Sequence, residues 1–295
     1  MKRNIWGLNL QELETWVVGN GFPRFRAKQL RDYLYKRHIF HFDEMTQFSQ
    51  KMRDWLKENG QIDKPVIISR AQSDDEKTIK LLLKLKDGSL VETVCMCHHY
   101  GNSICVSTQV GCAMGCIFCA STRKGLERNL TAGEILAQMY AFKELYDIPF
   151  HSIVLMGAGE PLTNYEEVLH FIHLANDPEL LNISYRNITI STCGIVPQIY
   201  RLADENIPIT LAISLHAPND RIRNVLVPIS KNFRIKDVVS AAEYYFKKTK
   251  RRVTFEYILI KDMNASVENA KELCCLIGKM PCHINLIPIN GTEHI

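Results

Sequence analysis

The chain has 295 residues, 46% hydrophobic and 23% charged, with a net charge of +4 from 36 basic and 32 acidic residues. At roughly 150 residues per domain this length suits about two domains with cores of their own, and the composition excludes a disordered or collagen-like chain. No apolar run reaches the ~18 residues of a membrane span and the N-terminus has no apolar signal-peptide segment, so a cytoplasmic protein is expected; the mild basicity allows a nucleic-acid partner without requiring one.

Through residue 60 apolar residues recur at helical spacing. Leu10, Leu13, Trp16 and Val17 mark a first helix and Leu30, Tyr33 and Leu34 a second, with Asn20-Gly21 and Phe22-Pro23 between them. A third is predicted over 47–59 and stopped by Gly60. The second segment also carries Arg24, Arg26, Lys28, Arg31, Lys36 and Arg37 against one acid, Asp32, interleaved with Phe25, Tyr33 and Tyr35. That composition fits a face that binds RNA phosphates and stacks a base, and equally a solvated helix with its aromatics in the core.

Residues 66–97 read as three short strands, with Lys86-Asp87-Gly88 as a hairpin turn, forming a small antiparallel connector. From about Cys105 strands alternate with helices. Strands are predicted at 152–157, 187–192, 209–216, 253–259 and 283–289, and helices at 132–145, 165–174, 196–205, 235–249 and 267–278. The alternation predicts an α/β fold with a parallel sheet, right-handed crossovers and both faces covered. The expected organisation is a helical RNA-binding-like domain over 1–62, a β connector over 63–97 and a partial TIM-like (β/α)6 barrel over 98–295. In such a barrel the site lies at the C-terminal strand ends, where Gly159-Glu160, Ser191, Ser214-Leu215-His216 and Asn290 fall.

Four of the ten cysteines lie between positions 105 and 119. A large cytosolic chain does not rely on disulfides, so this clustering points to metal or redox chemistry. Cys112, Cys116 and Cys119 form a C-x3-C-x2-C loop. Three thiolates can hold three irons of a cubane and leave the fourth open, and Gly111 and Gly115 let the backbone approach the sulfurs. A zinc site would want a fourth protein ligand, for which His98 and His99 are near in sequence.

The cysteine loop, with Phe118 just before its last cysteine, resembles the signature of the radical S-adenosylmethionine superfamily. The blocks CVSTQVGCAMGCIFCASTRKGLERNLTAGEI, LMGAGEPLTNY, ISTCGIVP, LAISLHAPND and INLIPIN follow in order. Together they resemble the RlmN/Cfr family of RNA adenine-C2 methyltransferases over about residues 5–290, nearer the RlmN branch by GEPL and SLHAPND. The resemblance implies a radical S-adenosylmethionine barrel with a [4Fe-4S] cluster on Cys112, Cys116 and Cys119. It implies S-adenosyl-L-methionine on the open iron, lined by Gly159, Glu160, Ser191, Ser214, Leu215, His216 and Asn290, and cleaved to a 5′-deoxyadenosyl radical. It further implies Glu92 as proton acceptor and Cys105 as catalytic thiol; taken alone, Glu92 reads as a solvent-facing strand residue and Cys105 as a structural cysteine. The substrates implied are 23S rRNA and tRNA, the electron donor a flavodoxin or ferredoxin, and no membrane is involved. Adenine C2 offers no lone pair to a methyl sulfonium, so cofactor chemistry must do the hard step. Arg123, Lys124, Arg128, Arg221 and Arg223 would extend a basic surface near the site, to which the target adenine must come unstacked.

The chain departs from that pattern at its end. The family's methyl-carrying cysteine follows the strand ending at Asn290, whereas residues 291–295 read GTEHI, and Cys274, Cys275 and Cys282 do not match its motif. The expectation is a shortened or inactive form that cleaves the cofactor without transferring methyl. Two other readings stand beside it: a non-catalytic RNA-binding iron–sulfur protein, and a radical enzyme with another substrate.

Overall fold

In the computed structural model of the chain, residues 2–146 and 148–289 are described. Strand β1 (Arg3–Asn4) leads into helices α1 (Leu10–Gly19), α2 (Phe25–Tyr35) and α3 (Gln50–Asn59), and β2 (Gly60–Gln61) pairs back in parallel with β1. A capping box starts α1: Asn9 Oδ1 accepts the Glu12 N–H at 2.9 Å and Glu12 Oε2 accepts the Asn9 N–H at 2.7 Å. The third helix starts at Gln50, later than the predicted 47, because Ser49 supplies the cap by accepting the Met52 N–H. Leu13, Val17, Leu30, Leu34, Met52 and Leu56 close the core between the helices.

Antiparallel strands β3 (Val66–Gln72), β4 (Thr78–Lys84) and β5 (Leu90–His98) follow, then β6 (Gly101–Cys105). A short hairpin, β7 (Gln109–Gly111) and β8 (Leu126–Asn129), brackets the cysteine loop. Next come α4 (Ala132–Tyr146), β9 (Phe150–Leu155), α5 (Tyr165–Asn176), β10 (Ile188–Thr192), α6 (Val196–Asp204) and β11 (Thr210–Ser214). Helices α7 (Asp220–Leu226) and α8 (Ile235–Thr249), β12 (Val253–Leu259), α9 (Val267–Ile277) and β13 (Cys282–Pro288) complete the described chain.

One nine-stranded sheet runs β13-β12-β11-β10-β9-β6-β5-β4-β3. From β6 to β13 neighbouring strands are parallel, which gives the six parallel strands of a partial barrel. The antiparallel strands expected as a connector hydrogen-bond onward to β6, so they continue the same sheet. Ile104, Ile153, Ile190, Ile213 and Phe255 are buried on one face. On the other face stand Cys105, Val154, Ser191, Ser214, Glu256 and Asn285. No helix among the described residues is long and apolar enough to cross a membrane.

Candidate active site

Two loops meet at the C-terminal edge of the sheet. The cysteine loop is pinned at both ends and underneath. The Cys112 N–H donates to Gly125 O at 3.0 Å, Gly115 N–H to Thr122 Oγ1 at 3.0 Å, and Ile117 N–H to Leu226 O at 3.2 Å. The second loop, 157–160, leaves β9, and its Ala158 carbonyl accepts the N–H groups of Thr108 and Gln109 at 2.9 and 3.1 Å. Gly159 sits there at φ +110°, with space for a Cβ closed by the Gln109 side chain at 2.7 Å, so glycine is required for both reasons.

Between the loops lies a cavity of about 280 Å³. Cys112, Cys116 and Cys119 form one wall, and Gly159, Glu160, Ser191, Ser214 and His216 line it from the strand ends. Burial pushes the Cys112 thiol up, while the main-chain amides of Met114 and Gly159 hydrogen-bond its sulfur and act against that. Burial pushes Cys116 up to about 12, helped by the neighbouring Cys119 and Cys112 thiols and Glu160. Among the described residues no three His, Cys, Asp or Glu side chains are arranged around a single ion. A cubane takes one thiolate per iron, so three thiols spread along a cavity wall with amides aimed at sulfur suit a cluster, and their ionisation is coupled to its binding.

Glu160 is fully buried, and its carboxylate accepts the Leu162 N–H at 3.0 Å and the Cys193 N–H at 2.7 Å, tying the loop after β9 to the end of β10. Burial raises its pKa against those two hydrogen bonds. His216 holds φ +57° and presents its ring edge to Phe118, 4.8 Å between centroids. Burial and the Arg223 charge push it down to about 3. The ring is therefore neutral, with Nδ1 accepting the Ile258 N–H at 3.1 Å. The Leu215 side chain turns into the core, its N–H donates to Glu256 O and its carbonyl accepts from Arg223, so it lies off the cavity. Asn290 and residues 291–295 lie outside the described residues.

Cys105 and Glu92 stand just beyond the cavity on the concave face. Cys105 is directly opposite Val94 across β5–β6, and Glu92 is two residues along on the same side. Burial pushes the Cys105 thiol up to about 11, against a hydrogen bond from the Met156 amide. Glu92 is exposed and ion-paired to Lys80 at 2.9 Å.

Several sequence expectations need correction. His98 stacks on Tyr100 at the β5–β6 turn, the end of β6 opposite the cysteine loop, so His98 and His99 are out of reach of a zinc site there. In the basic N-terminal block, Arg31 is buried against Asp177, Lys36 pairs with Asp32 and Glu179, Arg37 with Asp32, and Arg24 with Glu14. Tyr33 and Tyr35 are core residues, which leaves Phe25 and Lys28 as that block's exposed members without an ion pair among the described residues. Arg128 is held by Asp87 and Glu134, and Arg223 is wholly buried, whereas Arg123 and Lys124, just past the cysteine loop in sequence, and Arg221 are exposed. Cys274 and Cys275 are exposed on α9 and Cys282 opens β13 opposite Val253, at the end of the sheet away from the site.

Two cavity groups escaped the sequence reading, and a residue behind them, Arg223, was read there only as a surface cation. Glu256 lines it with a carboxylate that accepts the Asn285 amide at 2.7 Å, and burial raises its pKa. An acid inside the otherwise apolar strand VTFEYIL was the available signal. Cys193 lines the cavity between Glu160 and Arg223. Arg223 lies behind it on α7, a seven-residue helix too short to show periodicity.

The profile of the radical SAM superfamily matches residues 106–274, and that of the ribosomal RNA large subunit methyltransferase N-terminal domain matches residues 3–62. The chain is 49% identical over 292 residues to a probable dual-specificity RNA methyltransferase RlmN of Clostridium novyi (strain NT), covering 99% of this chain and 85% of the relative. It is 48% identical over 291 residues to the protein of that description from Clostridium perfringens (strain 13 / Type A), covering 99% and 84%. Its fold is similar to the crystal structure of a radical SAM methyltransferase from Sphaerobacter thermophilus, with TM-score 0.93, 41% identity and coverage of 99% of this chain and 86% of that one.

Proposed function

The chain belongs to the radical S-adenosylmethionine superfamily and, within it, to the RlmN family of RNA methyltransferases, and we propose that the cavity walled by Cys112, Cys116 and Cys119 is its active site. As a member it is a dual-specificity enzyme acting on ribosomal and transfer RNA with a [4Fe-4S] cluster and S-adenosylmethionine, and adenine C2 is the position that the RlmN assignment implies.

The observation that carries the site reading is the meeting of three thiols and the Gly159-Glu160 turn across one cavity. Cys112, Cys116 and Cys119 would ligate the cluster. When bound, cluster and cofactor supply one-electron bond-breaking chemistry that no side chain provides. The chain's own residues bind and orient. Glu160, held rigid by two amides, keeps lone pairs for the cofactor's ammonium, and Ser191 and Ser214 offer hydroxyls from neighbouring strands. His216 and Phe118 supply an uncharged wall. Asn290 belongs to this set by the family motif. Cys105 and Glu92, on one face just outside, would serve the RNA side of the reaction, as thiol and proton acceptor. Glu92 must leave Lys80 to serve as base.

Ala113, Gly115 and Ile117 of the cysteine loop are exposed. A cluster on this loop would be open to a docked one-electron donor, a flavodoxin or ferredoxin. The polar strand-end lining favours catalysis over a purely structural cluster.

The reading is tested by reconstituting the chain with iron and sulfide without oxygen. About four irons per chain and reductant-dependent release of 5′-deoxyadenosine from S-adenosylmethionine are expected, both lost in Cys116→Ala. Stoichiometric zinc, or a folded wild-type chain that takes up no iron, would overturn it.

A further inference from the structure

Arg223 heads the fully buried side chains by volume among the described residues. Its Nε donates to Leu215 O at 3.2 Å, and its Nη2 to the carbonyls of Cys193 and, at 3.4 Å, Ser214. Those acceptors are all neutral. The remaining nitrogen, Nη1, is buried with no hydrogen-bond partner. Asp220, one turn earlier on α7, uses its Oδ1 to accept the Ile235 N–H at 2.8 Å. A guanidinium stays charged at any ordinary pH, and an under-compensated charge in the interior is costly. Bracing three carbonyls would not by itself call for a cation, nor leave one donor over.

What lies next to this charge is the cysteine loop. The helix bearing Arg223 ends on that loop through the Ile117 N–H to Leu226 O hydrogen bond. Ile222 and Leu226, on either side of Arg223, pack in one apolar cluster with Cys112, Met114 and Cys193. Through its Nη2 hydrogen bond to Cys193 O, the guanidinium lies against a residue that lines the cavity with Cys112, Cys116 and Cys119.

We infer that Arg223 is the built-in counter-charge of the cluster bound at Cys112, Cys116 and Cys119: a positioning residue that balances its negative charge and raises its reduction potential. The inference rests on the assignment of the cluster to these three cysteines. A cluster held by thiolates gains one more negative charge when an electron from an external reductant enters it. A fixed cation in a low-dielectric interior stabilises that reduced form more than the oxidised one.

The test compares Arg223→Lys and Arg223→Gln with wild type, in reconstituted protein without S-adenosylmethionine. The readouts are iron content and the midpoint potential from a dithionite titration followed by electron paramagnetic resonance. With iron loaded, Arg223→Gln should make reduction at least tenfold less favourable, a drop of about 59 mV for one electron. Arg223→Lys should stay near the wild-type potential. Equal potentials in all three proteins, or the same drop in both variants, overturn the inference. If Arg223→Gln loads no iron, Arg223→Lys decides alone by its potential. If neither variant loads iron, Arg223 is a structural brace and the counter-charge role falls. Unchanged potentials with weakened S-adenosylmethionine binding would move the residue to the cofactor and also overturn it. A wild-type chain that takes up no iron refutes the cluster site itself, a separate result.

Discussion

The side-chain carbonyl of Gln109 accepts the main-chain N–H of Glu160 at 2.8 Å, inside the protein. The same amide donates to Asn129 Oδ1 at 2.7 Å and Thr163 Oγ1 at 3.0 Å, so one residue joins both strands of the hairpin that carries the cysteine loop to the turn that carries Glu160. This residue, which belongs to neither set, helps hold the thiols and the carboxylate across the cavity, together with the Ala158 carbonyl that accepts the Thr108 and Gln109 N–H groups.

Gln109→Leu keeps most of the volume and removes the acceptor, which leaves the Glu160 N–H buried and unpaired. The expected cost is about 1–3 kcal/mol. Urea unfolding of the iron-free chain measures it, and slower cluster uptake should accompany it. A variant as stable as wild type would show that the two loops are held together by other contacts.

The Cys105 thiol, pushed up to about 11 from 9.0, should be a poor nucleophile until high pH. Near pH 8 its thiolate fraction is then roughly a hundredfold below that of an ordinary cysteine. Differential alkylation read by mass spectrometry should find Cys274, exposed on α9, modified readily at pH 8 and Cys105 only as pH approaches 11. Burial of the neutral thiol also makes stability depend on pH: the raised pKa favours the folded state below pH 9, and that contribution fades as pH rises from 9 through 11. Equal labelling rates for the two cysteines at pH 8 would contradict the burial argument.

Arg31 is nearly enclosed and pairs with Asp177, which ties α2 to the segment after α5. Breaking a buried pair from one side leaves the partner charge stranded, so Arg31→Met should cost about 3 kcal/mol. Denaturant midpoints check this. RNA affinity of the variant, measured well below its unfolding temperature, should not change; a selective loss of affinity would return Arg31 to the RNA surface.

Arg123 and Lys124, just past the cysteine loop, and Arg221 are exposed cations. Replacing Arg123 and Lys124 together by alanine should weaken RNA binding and flatten its dependence on salt by about one unit of slope per lost phosphate contact. The melting temperature should hold. For Arg128→Ala the order reverses, because that side chain bridges Asp87 and Glu134: stability falls first.

The sequence by itself determined the alternation of strands and helices in the barrel, since periodicity and turn residues are local properties. It also determined the cysteine loop and the family, because long blocks such as GCAMGCIFC and LAISLHAPND leave little room for chance. Helices 196–204, 235–249 and 267–277 begin or end within a residue of where periodicity puts them. What only the tertiary structure decided was which charges are free and which elements share a sheet. Arg31, Arg128 and Arg223 look alike in a list of basic residues, yet their partners Asp177, Asp87 and the carbonyl of Cys193 lie 146, 41 and 30 positions away in the sequence. Glu256 reads as an acid in an apolar strand until register sets it opposite Ser214 and Asn285 on the concave face. Burial and charge pairing are sums over residues brought together by folding, so no window of the chain contains them. Chain order records local backbone preference; the electrostatics of a site depend on distances through space.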